Sequence, residues 1–329
     1  MPYHFKPSET VTDAVKRIIS EEIDSAVEQL KRTGNQRDEA VHEARKSLKK
    51  IRGMLRLIQP EVGRGFYKRE NGLLRDVGRK LSEIRDAGAI IEVFDDLATR
   101  YQKELTPTAQ GDVRRGLKKA KAETEKELKI DEVIRETIHA LGEARQRLGG
   151  LRIDSDGWNT IASGFRKYYR LGRAAMERAG DEKTPEAYHE WRKRAKDHWY
   201  HVRLLEKSWD EKAGTYEGSL KELETTLGDD HNLVVLRQRL EKEPNLYGGH
   251  DPVQLWLGLI DRRAEELRGE SGRIGSGVYC LKPRKREGEF ARLWEVWKAE
   301  NGKTAGPGIP RKSSNSAKIV QPRASRRAS

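Results

Sequence analysis

One cysteine, Cys280, occurs in 329 residues. An intrachain disulfide is thereby excluded, as is any metal site built from several thiolates, and the usage fits a reducing compartment. A lone cysteine of this kind reads as a small hydrophobe. No apolar run approaches the roughly 18 residues that a membrane-spanning helix needs. The opening MPYHFKPSET lacks the apolar core of a signal peptide, so a cytoplasmic protein is expected. Catalytic signatures are missing too. His189-Glu190 is followed by Trp191, Arg192 and Lys193 rather than by the remainder of HExxH. There is no Walker-type phosphate loop, and no carboxylate pair stands out as an acid–base couple. No cofactor, no metal and no enzymatic activity are expected.

What is abundant is charge. Charged residues make up 36% of the chain and hydrophobic ones only 35%, with a net charge of +13 and a pI near 9.6. The length suggests about two domains. Sparse apolar residues that recur at helical spacing favour thin bundles of amphipathic helices over a large core, hence an all-α protein. The excess of positive charge predicts a polyanionic partner: nucleic acid, polyphosphate or an anionic membrane face.

Two stretches organise the chain. Val41–Ile58, VHEARKSLKKIRGMLRLI, placed on a helix at roughly 100° per residue, puts His42, Arg45, Lys46, Lys49, Arg52 and Arg56 on one face. Val41, Ala44, Leu48, Ile51, Leu55 and Ile58 fall opposite. Tyr188–Leu205, YHEWRKRAKDHWYHVRLL, repeats the arrangement. Its cationic face carries His189, Arg192, Lys193, Lys196 and Arg203, with Tyr200 between the last two. His42 and His189 are 147 residues apart, close to half the chain, so the spacing H-x-x-R-K-x-x-K implies two similar halves, each offering one cationic rail.

Taken in order, Ser8 or Thr10 caps a helix running to about Arg32, Asp38 caps the first rail helix, and Pro60 closes it. A long helix follows over about Phe66–Tyr101, then one from Pro107 to about Leu128 and one over about Asp131–Leu148. Leu151–Gly157 is the junction between halves, about 8–150 and 155–300. Beyond it, a helix over about Trp158–Ala179 ends at Gly180, and Thr184-Pro185 opens the second rail helix. The next spans about Lys212–Glu243. Asp251-Pro252 opens one to about Arg268, a Gly-rich loop covers Gly269–Pro283, and a last helix lies near Glu287–Glu300. Roughly five helices per half and no strand are expected. Residues 301–329 carry seven Lys/Arg, no acid and no apolar period, so seven of the thirteen excess charges sit in a disordered basic tail, free to hold nucleic acid by charge alone.

Stacked like charges four residues apart cost a few tenths of a kcal/mol each in a helix, about 0.2–0.5 by model-peptide standards. The nearby acids Glu43 and Glu190 project off the rails, which leaves an anion site. Arginine offers a planar fork of N–H donors to phosphate, lysine a mobile point charge, and each histidine lies near a helix N-terminus, where an anion is favoured. His198 and His201 project toward the apolar side and read as packing residues.

These residues resemble the CHAD domain (conserved histidine α-helical domain) family. The matching pieces are VHEARKSLKKIR, YHEWRKRAKDHWY, LSEIRDAGAIIEVF at Leu81–Phe94 and LGDDHNLVVLRQRL at Leu227–Leu240. The resemblance implies an all-helical domain over 8–300 made of two pseudo-twofold-related bundles around a basic groove. It further implies non-enzymatic binding of inorganic polyphosphate and association with polyphosphate granules. Carried over residue by residue, the binding positions are His42, Arg45, Lys46, Lys49, Arg52, His189, Arg192, Lys193 and Lys196, with Arg56 and Arg203 extending the rails. Secondary candidates are Arg75, Arg79, Lys221, Arg166, Arg170 and Arg173. Trp199 departs from the pattern where the first copy has Arg52, and His231-Asn232 stands in the place of Arg85-Asp86. Many relatives carry a triphosphate-handling domain of the CYTH type; none is expected before Ser8, so no attached catalysis is implied. The rival readings are a nucleic-acid-binding helical protein, which needs aromatic platforms or a helix fitted to a groove, and a phosphohydrolase acting on polyphosphate, which needs Mg²⁺ ligands.

Overall fold

The computed structural model of the chain describes residues 3–105, 107–127 and 129–302. It is all-helical, with no strand among the described residues. The first half supplies α1 (Val11–Leu30), α2 (Arg37–Leu57), the single turn α3 (Gln59–Val62), α4 (Arg64–Arg100), α5 (Pro107–Glu127) and α6 (Ile130–Gly149). After an irregular stretch come α7 (Trp158–Glu182), α8 (Pro185–Leu204), α9 (Glu211–Lys242), α10 (His250–Val278) and α11 (Pro283–Asn301). No helix among them is long and apolar enough to cross a membrane. The tail expected over 301–329 lies outside the described residues from 303 onward, and Asn301 still belongs to α11.

Local chemistry sets most of the helix starts. The Thr10 hydroxyl accepts from the Asp13 N–H at 3.1 Å, the Thr184 hydroxyl from the Ala187 N–H at 3.3 Å, and the Asp210 carboxylate from the Ala213 N–H at 2.8 Å. Each satisfies one of the N–H groups that a helix start leaves without a partner. Pro107, Pro185 and Pro283 occupy first-turn positions, where their missing N–H costs nothing.

Four expectations are corrected. Asp38 lies inside the first turn of α2, and Gln36 holds the cap position. Pro60 opens α3 instead of closing α2, which has already ended at Leu57. Gly180 is internal to α7, and the left-handed residue that terminates that helix is Lys183, at φ 54°. The Gly-rich segment 269–278 is helical throughout and forms the last turns of α10. One of its glycines serves packing rather than turning: a Cβ on Gly275 would stand 2.4 Å from the Trp191 ring. That close approach, with Ser271 and Val278 buried beside it, gives the segment a tertiary reason to stay helical.

The core does not divide at the junction between halves. One hydrophobic cluster joins α1, α2, α6 and the first part of α4 to α7, α8, α11 and the first part of α9. Ile18, Ile51, Leu55, Phe165, Trp191 and Trp294 are each 2% exposed or less. Fully burying such side chains is worth about 1.5–3 kcal/mol apiece. A second cluster joins Phe94 and Leu97 of α4, Val113 and Leu117 of α5, Leu236 and Leu240 of α9, and Trp256 and Ile260 of α10. The long helices α4 and α9 run through both clusters. Neighbour relations recur between the halves: α1 packs on α2 as α7 on α8, and α2 on α4 as α8 on α9. The two rail helices, α2 and α8, also contact each other.

The helical assignment of residues 269–278 is testable by substitution. Gly275→Ala should lower stability through overpacking against Trp191, by about 1–3 kcal/mol. Gly272→Ala, whose Cβ meets nothing within 4 Å, should raise stability by about 0.5–1 kcal/mol. Thermal melts in which Gly272→Ala destabilises and Gly275→Ala is neutral would show that the segment is not helical.

Candidate functional site

The first and second rails meet where α2 crosses α8. Close approach is possible there because Gly53 has no side chain: a Cβ at that position would lie 3.0 Å from the Cβ of Tyr200. The buried His201 ring then donates from Nε2 to the Gly53 carbonyl at 3.0 Å, tying one rail helix to the other. Burial holds His201 neutral, with its pKa down to about 3. His198, also buried, shares a hydrogen bond of 2.8 Å with the Tyr216 hydroxyl. Both residues are packing residues.

Above this contact lies a groove of about 560 Å³, walled by α2, α8 and part of α4. From α2 it receives Arg45, Lys49, Arg52 and Arg56, from α8 His189, Arg192, Lys193, Arg194 and Lys196, and from α4 Arg75 and Arg79. Among the described residues, ten of its lining side chains are Lys or Arg, against two carboxylates, Glu190 and Asp197. Unit charges of like sign about 4 Å apart repel by about 4 kcal/mol near a protein surface, so such crowding needs relief.

Relief comes unevenly. On the α8 side, Glu224 of α9 is 5% exposed and binds Lys196 by a short hydrogen bond, with Lys221 at 3.3 Å and Arg192 at 3.9 Å. Burial pushes its carboxyl pKa up, but Lys196, Arg192 and Lys221 overcome that and hold it down at about 2. Asp197 pairs with Arg56 at 3.2 Å and Arg194 at 3.7 Å. For Arg52 and Lys49 of α2 the relief among the described residues is thinner. Arg52 donates from Nε to the neutral amide of Asn71 at 3.0 Å, and burial with Arg56 nearby lowers its pKa to about 10. Lys49 is half-buried, and its pKa falls to about 7 through burial first, then through Lys196, Arg45 and Arg192, with Glu224 opposing.

The histidine that heads the second rail meets a partner that sequence alone did not reveal. The His189 and His231 rings stack at 4.0 Å between centroids. Burial, then the cations Lys193 and Arg192, lowers the His189 pKa to about 4, so the ring is neutral near pH 7. Burial, then His189 and the same cations, takes His231 to about 3. The departure at His231 from the Arg85-Asp86 pattern thus places a neutral ring against the rail; the Arg85 and Asp86 side chains lie outside the described residues.

Other expected members lie elsewhere. His42 is half-buried at the head of α2 and does not line the groove. Lys46 is exposed and bound to Glu43 at 2.7 Å, and Lys193 reaches Glu190 at 3.4 Å. The acids that projected off the rails therefore do reach their lysines, across three residues on the same helix. Arg203 leaves the rail to lie over the rings of Trp199, at 5.0 Å, and Tyr3, at 6.0 Å. Trp199 thus accounts for two departures at once. Lys221 reaches the α8 side through Glu224 and lies 4.7 Å over the Trp199 ring. On α7, Arg166 pairs with Glu287 at 3.7 Å and Arg173 with Glu177 at 3.2 Å, and neither these nor the exposed Arg170 lines the groove. Arg194, Asp197, Glu224 and Asn71 were not singled out from sequence; only Arg194 had a signal, as the third cation of the run RKR. No group of three or more His, Cys, Asp or Glu side chains among the described residues converges as a metal-ligand set.

A family model for the CHAD domain matches residues 17–241. The crystal structure of the CHAD domain from the plant Ricinus communis superposes with a TM-score of 0.58, covering 84% of this chain and 94% of that one at 15% identity. The likeness is one of fold. Uncharacterized protein Rv2226 of Mycobacterium tuberculosis is 26% identical over 244 residues, 69% of this chain and 45% of its own length. The chain thus spans about half the length of this curated relative.

Glu224 gives the site a measurable stability signature. Replacing Glu224 with Gln strands the Lys196 ammonium, and breaking a buried pair in this way costs about 3–5 kcal/mol. Because its carboxyl pKa is depressed in the folded state, the stability it contributes is present above the ordinary carboxylate range. That contribution is lost as the pH falls toward about 2. Denaturant melts should show the gap between wild type and Glu224→Gln widest near neutrality and closing as the pH falls below the ordinary range. A gap that is the same at every pH would mean that Glu224 is not ionised in its pair.

Proposed function

Given that the chain belongs to the CHAD domain family, we propose that it is a non-enzymatic binding module for inorganic polyphosphate, with the phosphate chain lying along the groove between α2 and α8. The observation that carries this reading is the groove's ten cationic side chains against two carboxylates among the described residues, eight of the ten gathered from two helices that repeat one sequence pattern. A linear polyanion of fixed charge spacing meets both rails at once. Arg52, Arg75, Arg79 and Arg192 supply forked N–H donors, while Lys49 and Lys193 supply point charges. All recognition is of phosphate oxygens, so affinity grows with chain length and falls steeply with salt. Association with polyphosphate granules in the cytoplasm follows from the same chemistry.

Nucleic acid is the competing polyanion. A single Phe, Tyr or Trp residue, Tyr200, lines the groove among its described residues, and it is 4% exposed, while the His189 ring is already stacked on His231. Stacking of unpaired bases therefore finds no platform there. A phosphohydrolase reading would require phosphate release that depends on the groove cations, and an assay with added Mg²⁺ separates it from simple retention.

Substitution of exposed cations tests the reading without disturbing the core. Arg75, Arg79 and Lys193 are exposed, and replacing all three with Glu should abolish retention on immobilised polyphosphate while the helical CD signal stays unchanged. Single Arg→Ser changes should each reduce the salt slope by about 0.7. Undiminished retention of the triple variant, or displacement of polyphosphate by duplex DNA at equal phosphate concentration, would overturn the reading.

Binding should also take up a proton. Lys49 faces Arg45 of its own helix, Lys196 and Arg192 of α8 and the engaged Glu224 of α9. Its ammonium is disfavoured by its cationic neighbours and favoured when the oxygens of a polyphosphate chain lie in direct contact with it. Above its pKa of about 7, long-chain polyphosphate must therefore bind together with one proton. Affinity should rise as the pH is lowered toward about 7, by at most about tenfold per pH unit, and then level off. Titrations at constant salt should show this slope in wild type and a flat profile in Lys49→Arg. Equal slopes would place the proton elsewhere.

A further inference from the structure

Lys49 differs from the other lysines that line or border the groove. Lys196 and Lys221 are held by Glu224, and Lys193 by Glu190. Among the described residues Lys49 has neither a hydrogen bond nor an ion pair. Its amine stands on the groove floor between Arg45 on its own helix and Arg192 and Lys196 on α8. Glu224, the carboxylate that acts on it, is already engaged by those α8 cations and Lys221. Partial burial and like-charged neighbours both favour the neutral amine, which is the nucleophilic form. An exposed lysine is almost wholly protonated near neutrality. Around this amine the guanidinium groups of Arg45, Arg52 and Arg192 offer donors suited to a phosphate.

We propose that Lys49 is a reactive amine that condenses with small phosphorylated aldehydes, whose phosphate is seated on the guanidinium groups beside it. This rests on the groove's affinity for phosphate oxygens and is independent of whether the natural ligand is a polymer. The nitrogen lone pair attacks the carbonyl carbon, the C=O π pair moves to oxygen, and proton transfer from nitrogen to that oxygen gives a carbinolamine. The hydroxyl, protonated by solvent, then leaves as water while the nitrogen forms the C=N bond and returns its last proton to solvent. The carbonyl oxygen and the two amine hydrogens depart as one water, and nothing is oxidised or reduced. The guanidinium groups lower the barrier by positioning the aldehyde carbon next to the amine.

Pyridoxal 5′-phosphate is a suitable probe, with the full chain incubated at neutral pH, the imine followed by its absorbance and then fixed with borohydride for peptide mapping. The expected result is one adduct per chain, on Lys49, formed at least about tenfold faster than with pyridoxal lacking the phosphate, as a positioned nucleophile requires. Tripolyphosphate should slow it by a similar factor, and Lys49→Arg should show no imine absorbance. Adducts spread over surface lysines in the wild-type map, equal rates with pyridoxal, or indifference to tripolyphosphate would each overturn the proposal. The wild-type map needs no variant, so a Lys49→Arg chain that fails to fold leaves the test intact. Labelling at Lys49 in a chain that is not retained on polyphosphate would sink the polyphosphate reading alone. Retention without a Lys49 adduct would sink this one alone.

Discussion

Mutual repulsion among cations on the two crossing helices is the constraint around which the molecule is built. Arg45, Lys49 and Arg52 on α2 face Arg192 and Lys196 on α8 across one groove, and the fold must hold them there against their own field. It does so from behind and from the side. Behind, the opposite faces of α2 and α8 are anchored by Leu48, Ile51 and Leu55 and by Trp191, Ala195 and Val202, each almost fully buried. From the side, Glu224 takes up part of the charge on α8 and Asp197 pairs with Arg56 of α2 and Arg194 of α8, while Arg52 meets an amide at Asn71 and Lys49 partly gives up its proton. The two rails, alike in sequence, therefore differ in electrostatic state.

That difference explains why the rails of a repeated motif need not act alike. The α8 rail is preorganised by carboxylates that an incoming anion has to outcompete. On the α2 rail, Lys49 and Arg52 have no ion pair with a carboxylate among the described residues and gain most from a bound anion. On the reading proposed above, a polyanion long enough to touch both rails would draw on the second while displacing the carboxylates of the first. A single phosphate group can reach only one set of contacts at a time, and chain length thereby becomes an advantage through effective concentration.

Much of this was legible in the sequence. A helical period fixes which side of Val41–Ile58 and Tyr188–Leu205 is apolar, and Thr184-Pro185 marks a helix start by local chemistry alone. Local rules also place Lys49 and Lys196 on rail faces. What they do not carry is the identity of partners brought from other helices. Glu224 lies 28 residues beyond Lys196, on α9, and nothing in its own neighbourhood shows that it faces a rail. His231 meets His189 for the same reason. Arg203 was placed by periodicity on the rail, but a ring at Trp199 draws its guanidinium away through a cation–π contact that a helical projection does not contain. The segment 269–278 has the glycine content of a loop yet is a helix, and Gly275 in it leaves the room that the Trp191 ring fills. In each case the deciding interaction is tertiary.

The passage of α4 and α9 through both hydrophobic clusters has a mechanical consequence. Arg79 on the groove wall and Phe94 in the second cluster belong to one continuous helix, separated by about 22 Å of helical rise, and Glu224 is joined to Leu236 in the same way on α9. The groove thus inherits stiffness from packing that it does not touch. A disturbance among Phe94, Trp256 and their neighbours would be transmitted as a tilt of the walls, so that distant apolar residues set how widely the cationic channel stands open.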